Sequence, residues 1–258
     1  MTTARVGLAA VALVLTVWTM AGGGAEAPAA DIPTPTPVPD AAALLAETAD
    51  NLRTIRSAQF HVTHQVGSMY LPAFSAKITE IDGAWDADAG AAVSIDAYLV
   101  SGPETDVQDG SYIQVLAVVT PQAYFSTEPI SGLWLKQPAE TAPFSVTRLQ
   151  HIVADLVGAV QNPVLAGEET VDEVSTYRIS GVAPASSMDW LPISASEGQS
   201  LQIDVWTDTE QKLPRMISVV GAVGEFDSPD THRAIRLAGI GERADISPPE
   251  QFIDLSGG

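Results

Sequence analysis

Apolar residues in the first folded segment recur at helical spacing and then switch to strict alternation. Asp40 is a good N-cap residue for the run AAALLAETADNLRTIRSA that follows it. The apolar stripe of this predicted helix consists of Leu44, Leu45, Thr48, Leu52 and Ile55. In the next segment, QFHVTHQVG, the period changes to two. One face of a predicted strand therefore carries Phe60, Val62, His64 and Val66.

Alternating or continuous apolar runs predict further strands along most of the chain. They cover residues 75–87, 91–100, 111–120, 123–128, 201–208, 215–223 and 232–241. Within the strand at 91–100, one face carries Val93, Ile95, Ala97 and Leu99, because side chains alternate between the two faces. The strand at 111–120 is apolar on both faces, which is typical of a central strand covered on both sides.

A second long helix is predicted at residues 145–162, with Ser145 as its cap and Pro163 at its end. Its apolar face is formed by Leu149, Ile152, Val153, Leu156 and Val160. Residues 164–181 predict a strand hairpin with a tight acidic turn, and a short helix is predicted near Ala185 to Leu191. Together these elements predict an α+β domain with about ten strands in one antiparallel sheet and two main helices on one face.

The N-terminal 27 residues predict either a signal peptide or an uncleaved anchor. An apolar run of signal-peptide length follows Arg5, and small residues before Glu26 fit a cleavage site. Residues 28–40 alternate proline with threonine and valine, which favours an extended polyproline linker. The folded domain is therefore predicted at residues 41–258.

Composition narrows the partners that the surface can attract. The chain has 258 residues, with 32 aspartates and glutamates against 12 lysines and arginines, giving a net charge of −20. Such a surface repels nucleic acid and anionic membranes, so no nucleic-acid partner is expected. The absence of cysteine excludes disulfides, thiolate metal sites and a cysteine nucleophile. A domain of this size has enough core to fold without disulfides, and we expect a monomer.

Residues that carry catalysis or bind metals do not form a recognisable motif. His61 and His64 are three apart on a predicted strand, so they point to opposite faces and cannot chelate one ion. Gly239-Ile240-Gly241 lacks the third glycine and the following helix of a dinucleotide-binding loop. No G-x-S-x-G motif occurs, and acidic pairs such as Glu168-Glu169 fall in turns, where carboxylates are solvated. The sequence therefore predicts no enzyme, no cofactor and no metal site.

The excess of apolar positions leaves two interpretations open. The predicted sheet and helices form either a filled core or a wall around an apolar cavity for a lipid-like ligand. The pattern of apolar residues is the same in both cases, because alternation assigns faces but does not measure the space between them.

The segment AVQNPVLAGEETVDEVSTYRISGVAPA resembles the central signature of the LppX/LprA/LprF/LprG lipoprotein family of actinobacterial envelopes. The matching residues are Asn162, Pro163, Leu165, Gly167, Glu168, Thr170, Val171, Asp172, Val174, Thr176, Tyr177 and Gly181. The resemblance extends in the same order to LLAETADNLRTIRSAQFHV, LQIDVWTDTEQKLPRMI and DSPDTHRAIRLAGIGERADISPP, and so covers most of the chain.

This resemblance implies a half-barrel of antiparallel strands wrapped around helices that cover its concave face. Family members hold acylated lipids or lipoglycans in an apolar cavity and help to move them across the envelope. The implied partners are an acylated lipid or glycolipid and a membrane transporter, and the implied location is the extracytoplasmic side of the plasma membrane or the medium. The residues expected to line the cavity are Val93, Ile95, Leu99, Val115, Leu149, Ile152, Leu156 and Ile203.

The sequence departs from the family at one point that affects its attachment to the membrane. The family carries a lipobox cysteine, whereas the matching stretch here is TMAGGGAEAP. Without a thiol there is no diacylglyceryl anchor, so the apolar N-terminus either remains as the anchor or is removed. Two alternative functions stay open: a lipid- or stress-sensing module that binds a membrane partner protein, and a structural envelope domain with a filled core.

Overall fold

The computed structural model describes residues 38–143, 146–188 and 198–256. The predicted signal peptide or anchor, most of the proline-rich linker, the Ser145 cap and residues 189–191 of the short helix lie outside these residues. Among the helices of the described part, none is long and apolar enough to cross a membrane.

The first helix, α1 (Ala41–Thr54), begins where the sequence predicts it. The Asp40 carboxylate accepts a hydrogen bond of 2.8 Å from the backbone N–H of Ala43, which satisfies one of the free donors at the helix start. The backbone turns to an extended conformation at Ile55, and the strand follows directly. The buried face of α1 consists of Leu44, Leu45, Thr48, Ala49 and Leu52.

Thirteen strands of the described chain form one sheet. They are β1 (Ser57–Val66), β2 (Met69–Leu71), β3 (Ala76–Asp86), β4 (Gly90–Leu99), β5 (Ser111–Val119), β6 (Ala123–Thr127), β7 (Trp134–Pro138), β8 (Gln161–Val171), β9 (Val174–Pro184), β10 (Ser200–Asp208), β11 (Pro214–Val220), β12 (His232–Ala238) and β13 (Ile253–Asp254). Their order is β13-β7-β6-β5-β4-β3-β1-β12-β11-β10-β9-β8, with β2 paired to β3. All pairs are antiparallel except β13 with β7.

The predicted count of about ten strands is wrong because three short strands carry too little pattern to be recognised. The strand β2 has three residues, β7 has five and β13 has two. Alternation needs several residues to become visible, and these strands are instead defined by their pairing with β3, β6 and β7. The parallel β13–β7 pair also makes one edge of the otherwise antiparallel sheet mixed.

The second helix, α2 (Val146–Gly158), ends earlier than predicted. Pro163 does not terminate it, because β8 has already begun at Gln161 and pairs there with β9. Asn162 adopts a positive φ of 51°, and the pairing register shifts between Gln161 and Val164. Proline is tolerated in such a bulge on an edge strand because it needs no ladder donor there.

The hairpin and the short helix that the sequence predicts after α2 are both present, but the helix is shorter than predicted. The hairpin joins β8 to β9 through Asp172 and Glu173, whose φ angles are 47° and 67°. Two consecutive positive φ angles are typical of a type I′ turn, which matches the twist of the strands it joins. The predicted helix near Ala185 is a 3₁₀ turn over Ala185–Met188 in the described residues, which is shorter than expected.

Both helices pack on one face of the sheet, which we call the helix face; the opposite side is the outer face. Leu52 of α1 and Leu156 of α2 belong to the same buried cluster as Ile179 and Ile203 of the sheet. A smaller cluster on the outer face contains Val118, Ala123 and Phe125, with Ile246 of the C-terminal segment packed against it. This second cluster explains why β5 is apolar on both faces.

A buried polar network fastens the loop between β11 and β12 to one end of the helix face. The Arg233 guanidinium pairs with the Asp227 carboxylate at 2.5 Å, and both side chains are only 3 % exposed. Arg233 Nε also donates to Nε2 of His64 at 3.2 Å, while His64 Nδ1–H donates to the carbonyl oxygen of Thr79. Burial, followed by the charge of Arg233, lowers the pKa of His64 from 6.5 to about 4.

We expect acid to destabilise the fold through His64 before the carboxylates protonate. The unfolded chain takes up this proton at a higher pH than the folded chain, so stability falls as the pH drops from 6.5 toward 4. At pH 5 the free energy of unfolding should be about 2 kcal/mol lower than at pH 7. Denaturant unfolding at both pH values measures this difference. In the variant His64→Gln, which cannot titrate, the loss should be much smaller; equal losses in both proteins would contradict the assignment.

Gly83 of β3 leaves room for the ring of Phe60 on the helix face. A Cβ atom built on Gly83 would lie 2.3 Å from Cζ of Phe60. We therefore expect Gly83→Ala to lower the free energy of unfolding by about 1–3 kcal/mol through overpacking. Thermal unfolding measures the change, and Gly102→Ala is the control, because no atom lies within 4 Å of the Cβ that it adds. Similar melting temperatures for the two variants would exclude this close packing.

Candidate functional site

A single row of aliphatic side chains crosses the helix face in register over nine strands. Residues directly opposite each other on neighbouring strands point to the same face, so pairing alone places them side by side. From β8 to β5 the row consists of Leu165, Ile179, Val205, Ile217, Ile235, Val62, Ile81, Ile95 and Val115.

Burial varies along this row, and Leu165 at the β8 end is half-buried. Ile179, Val205 and Ile217 are 0 % exposed, and Ile235 is 5 % exposed. The remaining part on β1, β3, β4 and β5 is only half-buried, and we call it the open row: Val62, Ile81, Ile95 and Val115. It spans three strand spacings, or about 14 Å. The helix face therefore continues as an aliphatic surface beyond the region where it is fully covered.

The structure distributes the eight residues expected to line a cavity over two environments. Leu156 and Ile203 are almost completely buried in the main core. Ile95 and Val115 belong to the open row, and Val93 is buried one row further along β4. The remaining residues, all half-buried, are Leu99, Leu149 and Ile152. Ile95, Leu149 and Ile152 pack against the main core, so both α2 and β4 contribute apolar side chains to its boundary. Contact of any of these residues with a ligand stays a prediction.

Two members of the open row were not expected from the sequence. Alternation placed Val62 on the same strand face as Phe60, but it gave no reason to select this residue. Ile81 was not singled out at all. Both are identified by cross-strand pairing, Val62 with Ile81 and Ile81 with Ile95, and such pairing cannot be read from one strand.

Among the residues that the structure describes, His61, Glu80 and Asp82 form a group of potential metal ligands on the outer face. The ligand atoms lie within 4.8 Å of one another, and His61 Nδ1 is 2.7 Å from the Asp82 carboxylate. All three side chains are at least one-third exposed. A histidine–carboxylate pair accounts for this contact without an ion. His64 lies on the opposite face, so the two histidines do not share a ligand, as the sequence predicts.

One carboxylate on the outer face, that of Glu169, is held in its charged form. The indole N–H of Trp206 donates to Glu169 at 2.7 Å, and this bond, with help from Arg178, lowers the pKa of Glu169. Arg178 also bridges to Asp204 and lies over the ring of Trp206. A general acid needs the opposite shift, so this cluster stabilises the sheet surface and is unsuited to proton donation.

Comparison with known proteins identifies the family. The profile of the LppX_LprAFG lipoproteins matches residues 40–245. The crystal structure of LprF from Mycobacterium bovis superposes with a TM-score of 0.59 at 19% identity, covering 83% of this chain and 98% of that one. Lipoprotein LppX from Mycobacterium tuberculosis gives a TM-score of 0.51 at 19% identity, covering 80% and 98%. No curated protein sequence matches the chain significantly.

At this level of identity the two crystal structures establish the fold, a large open antiparallel sheet with two helices. The profile match covers most of the chain, including both helices and every strand from β1 to β12. The chain therefore belongs to the LppX_LprAFG lipoprotein family.

Proposed function

We propose that this protein binds an acylated lipid or glycolipid on the helix face and carries it within or across the cell envelope. The observation that carries the proposal is the open row, in which four aliphatic residues continue a buried row but stay half-buried. In the proposed bound state the sheet curves as a half-barrel around the helices, and the acyl chain covers the part that the helices leave accessible.

Burial of hydrocarbon supplies the driving force for such binding. Each methylene group removed from water contributes about 0.8 kcal/mol, so a long acyl chain binds an aliphatic surface without any charged partner. No catalytic group is required, and we propose that the protein is not an enzyme. The membership in a lipoprotein family supports a role at the envelope.

The proposed site of action is the extracytoplasmic side of the plasma membrane or the medium. Residues 1–27 would direct export and either be removed or remain as an anchor, and residues 28–40 would act as a spacer before a monomeric domain. The net charge of −20 disfavours binding to nucleic acid and adhesion to anionic lipid. A membrane transporter is the proposed partner that delivers or receives the lipid.

Filling the open row should block lipid binding without unfolding the protein. We expect Ile95→Trp to abolish binding of a fluorescent acyl probe, because the indole occupies the space of the chain. Its free energy of unfolding should change by less than about 1 kcal/mol, since the half-buried position has room for the larger ring. Probe titration and thermal unfolding on the same samples measure both quantities.

Two matched variants distinguish this outcome from a general effect of tryptophan. Ser94→Trp lies one residue away on the outer face and should leave probe binding unchanged. Val205→Trp enters the fully buried part of the same row and should destabilise the fold by roughly 1–3 kcal/mol or more. Strong destabilisation by Ile95→Trp, with no probe binding by the parent, would refute the carrier and favour a filled structural core. Binding without transfer to acceptor vesicles would favour a sensor.

The mature protein should carry no covalent lipid, because the sequence contains no thiol that could be acylated. Intact-mass measurement of protein purified from envelopes and from medium tests this expectation. A mass that matches cleavage before Glu26 indicates release, and a full-length mass indicates a retained anchor. A mass increment of a diacylglyceryl group would contradict it.

A further inference from the structure

The indole of Trp85 lies in the apolar interior of the helix face, near the end of β3. Its side chain is part of the main core, and the residue is only 2 % exposed. The residues directly opposite it on β1 and β4 are Ala58 and Ala91, whose side chains are small and apolar. The ring of Phe60 lies beside it, with 6.0 Å between the ring centroids.

The N–H group of this indole has no hydrogen-bond acceptor among the described residues. An unpaired buried donor costs free energy, because the group loses its bond to water and gains nothing in return. Buried tryptophans normally place this group against an acceptor. Trp206 of the same sheet follows that rule by donating to the Glu169 carboxylate at 2.7 Å.

This free donor lies on the same face as the open row, two rows further along the strands. Trp85 and Ile81 are four residues apart on β3 and point to the same face, so about 13 Å separates them along the strand. Gly83, Phe60 and Val93 form the row between them, and no charged side chain lies in that row. An elongated ligand that covers the open row and extends along the strands meets no charged side chain before the indole, and it reaches the indole when the Phe60 ring, which packs over Gly83, moves aside.

We infer that Trp85 is a ligand-binding residue whose indole N–H donates to the carbonyl oxygen of an ester- or amide-linked acyl group. A neutral carbonyl fits this site, because it accepts one hydrogen bond and carries no charge that the apolar surroundings would have to desolvate. The inference rests on the proposed lipid binding and makes it more specific: the site selects acyl compounds over plain hydrocarbon.

The test compares two uncharged probes that differ in one functional group. A long-chain fatty acid methyl ester and the n-alkane with the same number of heavy atoms displace a fluorescent alkyl probe from the full-length protein. In Trp85→Phe, the affinity for the ester should fall roughly fivefold, the value of one neutral hydrogen bond, while the affinity for the alkane stays the same. Trp206→Phe, on the outer face, is the control and should alter neither affinity.

A spectroscopic measurement separates a binding role from a structural one. Without ligand, Trp85→Phe should be less stable than the parent, because the smaller ring leaves a cavity in the core, so both proteins are compared well below their melting temperatures. In ¹⁵N-labelled protein, the indole signal that disappears in the variant should move downfield when the ester binds and should not do so with the alkane.

The outcomes that overturn the inference differ from those that overturn the proposed function. An equal loss of affinity for ester and alkane, or an indole signal that does not move when the ester binds, assigns Trp85 a purely structural role while lipid binding stands. If neither probe displaces the fluorescent alkyl probe from the parent protein, lipid binding and the role of Trp85 both fail.

Discussion

The structure depends on a mismatch between the width of the sheet and the width of the helices that cover it. Twelve strands lie side by side, which corresponds to about 50 Å at the usual strand spacing. Each helix is about 10–12 Å in diameter, so two helices side by side are much narrower than the sheet. Aliphatic residues nevertheless continue in register from the fully buried part of the row to Val115. An apolar surface of this kind is unfavourable in water, and an acyl chain matches it in chemistry.

Much of the fold follows from local patterns in the sequence. The Asp40 cap, the stripe of α1 and the alternation in β4 each depend on neighbouring residues, and the structure confirms them. The errors occur where tertiary pairing outweighs a local signal. Pro163 is a strong helix terminator by itself, yet the pairing of β8 with β9 places it in a strand. The two-residue strand β13 exists only because β7 holds it in place.

The candidate site was less accessible to sequence reasoning, because its defining properties are relations between distant residues. Alternation identified Ile95 as an inward-facing residue, but the open row appears only once β1 is paired with both β3 and β12. The same is true of His64: the sequence predicts an ordinary strand histidine, and only the fold shows its hydrogen bond with Arg233. For Trp85 the informative property is that no described residue accepts a hydrogen bond from its indole, and a sequence contains no signal for a missing contact.

The pairing of β1 with β12 also determines the order in which the chain can fold. His64 and Arg233 are 169 residues apart in sequence, yet a hydrogen bond joins their side chains. Closing so long a loop is entropically costly and slow, so the centre of the sheet forms late. During synthesis, β1 and β3 are made long before β12, so the edge of β1 that pairs with β12 stays unpaired until then. The newly made chain therefore passes through an aggregation-prone stage that ends only when its last major strand arrives.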